Sequence, residues 1–244
     1  MRTVAWFSCG AASAVAAKLA LQDDPETVIA RCVIGNEHPD NWRFARDVAR
    51  WLGRPIVELA SPRYPDAWTV WEQRRFLNGP HGALCTVELK KKVRQDFEQD
   101  GDIQIFGFTS DEVDRADRFR ANNFEIESRF PLIERGISKG ECFEVLRGVG
   151  IELPAMYRLG YANANCVGCV KGGMGYWNKI RVDFPGVFGR MASLERDLGH
   201  TCIKTDDGPV FLDELDPQAG RHTDLQLPEC GLFCGQNEHL GITA

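Results

Sequence analysis

The chain has 244 residues, of which 43% are hydrophobic and 26% charged, with a net charge of −6. That length suffices for one α/β domain with a real core and a small appendage, and the acidic balance excludes a broadly basic, non-specific nucleic-acid binder. No apolar stretch approaches the roughly 20 residues of a membrane span, so no membrane partner is expected. Residues 3 to 7 (Thr-Val-Ala-Trp-Phe) read as a short buried strand rather than a signal peptide. Ser8-Cys9-Gly10-Ala11-Ala12-Ser13 is a tight loop, and the alanine-rich run from Ala12 to Leu21 is a good helix by propensity. Val28 to Ile34 is a second strand and His38-Pro39-Asp40-Asn41 a turn; residues 42 to 52 are helical, and Pro55 to Leu59 is a third strand. An aromatic-rich helix over 66 to 77 carries Trp68 and Trp71, expected in the core, and a basic helix over 86 to 98 follows Cys85. Ile103 to Phe108 is a fourth strand, ahead of a polar segment rich in Asp and Arg. Strand alternating with helix predicts a parallel twisted sheet with helices on both faces, a Rossmann-like α/β fold.

From about residue 128 the character changes. Phe130 to Ile133 is a short apolar run, Ser138 to Arg147 reads as a capped helix, and a Cys-x-x-Cys loop at Cys166 leads into glycine-rich Lys171 to Gly175. One or two helices then run to Leu198, and residues 200 to 215 read as a hairpin around Asp206-Asp207-Gly208. From Asp216 a polar, Gly- and Pro-punctuated tail carries Cys230 and Cys234. The predicted organisation is a nucleotide-binding core over 1–127, a helical Cys-x-x-Cys segment completing the domain over 128–199, and a hairpin with a mobile tail over 200–244.

Two features carry chemistry. A strand, a small-residue turn and a helix bring backbone N–H groups and the positive helix end to one point, which attracts anions. Gly10 and the alanines let a phosphate approach, and Ser8 and Ser13 offer hydroxyls; the alternative is an ordinary βα turn. No Gly-Lys-Ser/Thr follows, so this is not a Walker A loop. The second feature is the placement of the nine cysteines. Cys166 and Cys169 form a pair, Cys85 stands alone before Lys90, Lys91, Lys92 and Arg94, and Cys230 and Cys234 lie near the C-terminus. A Cys-x-x-Cys pair with distant cysteines suits an iron–sulfur cluster, a zinc site or a redox dithiol. Cys9, Cys32, Cys142 and Cys202 are isolated in sequence; Cys32 and Cys142 read as buried small hydrophobes. The odd cysteine count in a chain this size, with no need of disulfide stapling, points to a reducing cytoplasm.

The Ser8–Ser13 loop resembles the Ser-Gly-Gly-x-Asp-Ser loop of the PP-loop, or adenine-nucleotide α-hydrolase-like, superfamily, with Cys9 in place of the first glycine and Ala12 in place of the aspartate. That aspartate helps hold magnesium in members that cleave ATP, so its loss argues against ATP cleavage here. The chain resembles the phosphoadenosine phosphosulfate (PAPS) reductase branch over most of its length. The resemblance rests on His38-Pro39-Asp40-Asn41, Cys85-Thr86 with Glu88-Leu89-Lys90, Gly107-Phe108-Thr109 with Asp111-Glu112 and Arg115, and Phe130-Pro131-Leu132. It continues through Tyr157-Arg158, Gly160 and Asn165 with Cys166-Val-Gly-Cys169, and ends at Glu229-Cys230-Gly231-Leu232, with Phe233 where that branch has histidine.

The resemblance implies a sulfonucleotide (PAPS or APS) reductase-like enzyme in the cytoplasm. The adenine nucleotide would be bound by Ser8, Cys9, Gly10, Ala11, Ser13, His38, Asp40, Lys90, Gly107, Glu112 and Arg115. A [4Fe–4S] cluster would sit on Cys85, Cys166 and Cys169, with Cys230 or Cys234 as fourth ligand or the fourth iron open; zinc is the alternative metal. Cys230 would be the nucleophile and Cys234 or a thioredoxin-type protein the resolving thiol. Two other readings stand beside it: an ATP-dependent iron–sulfur sulfurtransferase thiolating tRNA or DNA, and a non-catalytic nucleotide-binding protein with structural zinc. A homodimer is left open.

Overall fold

The structure, a computed structural model, describes residues 1–79, 82–206 and 208–221. In chain order its elements begin with β1 (Thr3–Trp6), α1 (Ala11–Asp23), β2 (Val28–Cys32), α2 (Asp40–Leu52), β3 (Ile56–Leu59), α3 (Ala67–Arg74), β4 (Asn78–Gly79) and β5 (Gly82–Ala83). There follow α4 (Leu84–Thr86), a π-helical stretch (Val87–Lys91), α5 (Lys92–Phe97), β6 (Ile103–Ile105), a 3-10 turn (Ser110–Glu112), α6 (Val113–Asn122) and β7 (Glu127–Arg129). The remainder is α7 (Pro131–Glu134), α8 (Lys139–Gly148), α9 (Ala155–Arg158), α10 (Met174–Asp183), α11 (Pro185–Leu198), β8 (Ile203–Thr205) and β9 (Gly208–Val210). The chain forms two compact units that interleave in sequence. The first gathers Met1–Val33, Pro39–Ala60 and Val93–Leu159; the second gathers Ile34–His38, Ser61–Lys92 and the chain from Gly160 onward.

The first unit is a five-stranded parallel sheet in the order β3-β2-β1-β6-β7, with Val4 opposite Val28 and Thr3 opposite Ile103. Period-two alternation assigns its faces. Ala5, Ile29 and Ile105 join Ala11, Ala14, Ala17, Phe44, Val48, Cys142 and Leu146 in one core beneath α1, α2 and α8. The short alanine side chains of α1 let its backbone lie close to the sheet. On the other face, Trp6 meets Phe97 of α5 edge-on at 6.1 Å and donates through Nε1 to Gln104 at 2.9 Å. Phe106 packs there against Phe119 of α6 at 4.9 Å. The sheet is thus parallel and covered on both faces, as the strand–helix alternation requires.

Two departures have simple causes. The fourth strand is paired only over Ile103–Ile105, and the sheet gains β7 from the polar Glu127-Ser128-Arg129. β7 is an edge strand, so it needs no continuous apolar run. The helix α8 is capped as expected, with Ser138 and Glu141 bonding each other's backbone N–H.

The second unit holds the β4–β5 hairpin, the start of the helical stretch after it, α10, α11 and the β8–β9 hairpin, whose Asp207 lies outside the described residues. Trp71 and Trp177 are fully buried and Trp68 nearly so, all as core side chains. Chain beyond β9 runs along α10: Asn178 Nδ2 donates to the carbonyls of Asp216 and Ala219, and Arg181 to those of Leu212 and Leu215. Cys230 and Cys234 lie outside the described residues. Among the described residues, no helix is long and apolar enough to cross a membrane.

Candidate functional site

In the first unit, α1 starts at Ala11 behind an extended Gly10 with no side-chain cap, so the helix end is left to backbone donors. The Ser13 hydroxyl is taken up inside the loop. It donates to the Gly10 carbonyl at 2.9 Å and accepts from Ser8 N at 3.1 Å and from the hydroxyl of exposed Ser8 at 3.2 Å. Ala12 is buried at 6% exposure, so that position presents neither charge nor a metal-binding oxygen. Gly107, at the end of β6, is required by contact. A Cβ there would lie 2.7 Å from both the N and the Cα of Ser13. The strand end and the loop therefore touch backbone to backbone. Tyr157 brings its hydroxyl within 3.2 Å of where a Gly10 Cβ would be.

Cys9 adopts φ 58°, the left-handed region where a non-glycine residue costs roughly 1–3 kcal/mol. This is the position that carries a glycine in the loop it resembles. The strain is held by Arg31, a buried arginine on β2 whose Nη1 donates to Cys9 Sγ at 3.1 Å and whose guanidinium lies 4.2 Å above Trp42. A charged residue inside the apolar run Val28–Cys32 was the sequence signal for it.

Three other candidates in this unit have local partners. Asp40 receives Arg43 at 2.7 Å and the backbone N–H of Ala155 at 2.8 Å, and Arg43 holds its carboxyl below the usual range. Glu112 closes a capping box with Thr109, and Arg115 pairs with Glu112 while lying 4.3 Å over Phe108. Arg94, in the basic run after Cys85, is buried, with Glu98 at 2.7 Å.

The remaining nucleotide candidates, His38 and Lys90, belong to the second unit, where Lys90 is buried and His38 meets Phe184 edge-on at 6.0 Å. Lys90 sits in the π-helical stretch after Cys85, the kind of local widening often found at functional sites.

The second unit also brings the cysteines together. Cys85 begins a helix directly after the β4–β5 hairpin, and Cys166 and Cys169 flank a left-handed Gly168 with φ 77°. Tyr176 of α10 fixes this loop. Its hydroxyl oxygen accepts from Gly168 N at 3.0 Å and Cys169 N at 2.9 Å, and it donates to the Cys166 carbonyl at 3.2 Å. Burial pushes the Tyr176 hydroxyl well above its ordinary pKa, and the charge of Cys169 adds to this. Asn36 attaches the loop from the other side: its carbonyl accepts from Val167 N at 2.8 Å and its Oδ1 from Ala67 N at 2.6 Å.

Sequence isolation hid a further cysteine. Burial pushes the Cys202 thiol well above its ordinary pKa; the charge of Glu195 and its hydrogen bond with the thiol push it the same way, as do the charges of Cys169 and Cys85. No spacing rule connects Cys202 to the pair thirty-odd residues earlier; only the fold does.

Zinc and an iron–sulfur cluster make different demands on the donor set. Among the described residues, no three His, Cys, Asp or Glu side chains are gathered closely enough to hold a metal ion. A tetrahedral zinc with bonds of about 2.3 Å needs its sulfurs about 3.8 Å apart. A cluster gives each thiolate its own iron and seats the thiolates more widely. The amide nitrogens of Asn36 and Asn165 are buried donors without an acceptor beside the Cys166–Cys169 loop, and cluster sulfurs accept hydrogen bonds. Zinc on Cys166 and Cys169 with Cys230 and Cys234 involves residues outside those described.

No protein-family model matches the chain, and no curated protein matches it. Among solved structures it is similar to the U34-tRNA thiolase NcsA from Methanococcus maripaludis, determined with its [4Fe–4S] cluster. The identity is 13%, the TM-score 0.39, and the match covers 100% of this chain and 82% of that one. A likeness at that level carries no residue roles across.

Proposed function

We propose that the protein is an iron–sulfur enzyme of sulfur chemistry that binds an adenine nucleotide. The observation that carries this is a Cys-x-x-Cys loop locked by Tyr176, in the same unit as Cys85, with the buried, unpartnered amide nitrogens of Asn36 and Asn165 beside it. Cys85, Cys166 and Cys169 would hold a [4Fe–4S] cluster. When bound, it would supply a fixed charge that orients a sulfur-bearing anion, or an iron site for sulfur. In the first unit, the uncapped start of α1 would bind phosphate oxygens, joined by the Ser8 hydroxyl once it turns from Ser13, and Gly107 keeps the loop seated on the sheet.

In its sulfonucleotide form, the Cys230 thiolate attacks the substrate's sulfur. The bond from sulfur to the phosphate oxygen breaks, the nucleotide leaves with the electron pair, and S-sulfocysteine remains. A second thiolate, from Cys234 or a thioredoxin-type protein, attacks the cysteine sulfur, forming a disulfide and expelling sulfite. Buried Ala12 in place of a magnesium-binding carboxylate favours this form, because the route needs no ATP cleavage. The second reading is ATP-dependent thiolation of tRNA or DNA. It would draw only on Cys85, Cys166 and Cys169, all in the second unit, and on no thiol of the tail.

The test is protein purified without oxygen, assayed for iron, sulfide and zinc, then titrated with PAPS, APS and ATP. Cluster-level iron with sulfite release from PAPS or APS, lost in Cys230→Ser, supports the sulfonucleotide form. Formation of AMP from ATP, stimulated by tRNA or DNA, moves the assignment to thiolation. Zinc without iron removes both.

A further inference from the structure

We propose that Cys202 is the fourth cysteine ligand of the iron–sulfur centre, completing a set with Cys85, Cys166 and Cys169; the assignment rests on the iron–sulfur reading above. Three stretches of chain would have to be held together to build such a set, and one residue fastens all three. The side-chain amide of Asn78 donates to the carbonyl of Val170, next to Cys169, at 2.8 Å. Its backbone carbonyl meets Nε2 of His200, two residues before Cys202, at 2.9 Å. Its own strand pairs Asn78 with Ala83, two residues before Cys85. The His200 ring also stacks on Phe76 at 5.5 Å, just before the same strand.

The Cys202 turn is itself rigidly held. Glu195, fully buried on α11, accepts from the backbone N–H groups of Cys202 and Leu212, and Thr201 Oγ1 donates to the Ile203 carbonyl at 2.8 Å. Burying a carboxylate is costly unless it is hydrogen-bonded, and the two backbone N–H groups meet that need for Glu195. Cys9, Cys32 and Cys142 are in the first unit, so within the described residues the second unit contains four cysteines, Cys85, Cys166, Cys169 and Cys202. Four thiolates are also the usual complement of a [4Fe–4S] cluster. Cys230 and Cys234 are thereby released from any ligand role and left for thiol chemistry.

The test compares wild type with Cys202→Ser, a Cys32→Ser control and a Cys230→Ser/Cys234→Ser double variant, all prepared without oxygen. Cys202→Ser is expected to lose about one iron in four and to give a three-iron signal by electron paramagnetic resonance after mild oxidation. The control and the tail variant keep wild-type iron, sulfide and absorption. Full iron and an unchanged spectrum in Cys202→Ser overturn the assignment, most clearly if the tail variant is the one that loses iron. A wild type that takes up no iron overturns the iron–sulfur reading itself, and this assignment with it. Should Cys202→Ser not fold, alkylation of the wild-type protein decides. Cys202 is expected to be protected with the cluster present and labelled once iron is chelated; labelling that ignores the cluster refutes the proposal.

Discussion

Replacing Tyr176 by Phe removes one oxygen and almost nothing else, and that oxygen serves three groups of the cysteine loop. The ring stays, so no cavity opens. The N–H groups of Gly168 and Cys169 lose their acceptor, and the Cys166 carbonyl loses a donor. Gly168 and Cys169 are both buried, so water does not simply take over. An orphaned buried group costs about 1–3 kcal/mol. Two N–H groups set the scale, and the carbonyl, with a second lone pair, adds less. The expected loss is about 2–6 kcal/mol, at about 2–4 °C per kcal/mol for a chain of this size. Urea unfolding followed by tryptophan fluorescence would read it, since Trp177 neighbours Tyr176 in α10 and is fully buried. Tyr161→Phe is the internal comparison: it breaks one bond, to Asp183 at 2.8 Å, and should cost about 1 kcal/mol. If Tyr176→Phe cost no more than Tyr161→Phe, the hydroxyl would not be what holds the loop, and the reasoning would fail. A second readout on the same variant is the alkylation rate of Cys166 and Cys169 in the iron-free protein, which should rise as the loop loosens.

Gly107→Ala should separate the α1 start from the sheet, because the atoms its Cβ would strike are backbone atoms of Ala12 and Ser13 that cannot rotate away; expected are a loss of about 1–3 kcal/mol or more and weakened nucleotide binding by calorimetry. Ser13→Ala at the same loop should give a smaller stability loss, near 1 kcal/mol for its buried hydroxyl bonds. Asp40 has a lowered pKa in the fold, owing first to its bond from Arg43, so its contribution is present above the ordinary Asp value and lost as pH falls through the lowered one. The stability gap between wild type and Asp40→Asn should therefore be constant near neutrality and shrink below about pH 3.9; a gap that widens on acidification contradicts it.

Much of the first unit is legible in the sequence because it follows hydrophobic periodicity. The strands at Thr3, Val28 and Ile103 are short apolar runs, and α2 places Phe44, Val48 and Leu52 on one face. What escaped has local reasons. β7 is polar because only one of its edges is paired. The β4–β5 hairpin has two-residue strands, too short for any period to register. Within the basic helix after Cys85, Lys90 and Arg94 are buried, because the π-helical stretch changes which positions share a face. Of the cysteine site, the Cys-x-x-Cys pair and Cys85 are visible from spacing and context. Cys202 is not, because its proximity depends on Asn78, a residue with no motif of its own.

The number of cysteines in the site bears directly on the chemistry. Three thiolate ligands, Cys85, Cys166 and Cys169, would leave the centre able to take up a sulfur atom, as thiolation of a base would need. With Cys202 as the fourth, the four cysteines would complete the set, and bond-making would fall to a free thiol. The chain has such thiols in Cys230 and Cys234, in the Glu-Cys-Gly-Leu setting that resembles a sulfonucleotide reductase. A closed cluster and an Ala12 that binds no magnesium point the same way. An open one would make the loss of that carboxylate the anomaly to explain. The iron count of Cys202→Ser therefore separates the two chemistries before any substrate is known.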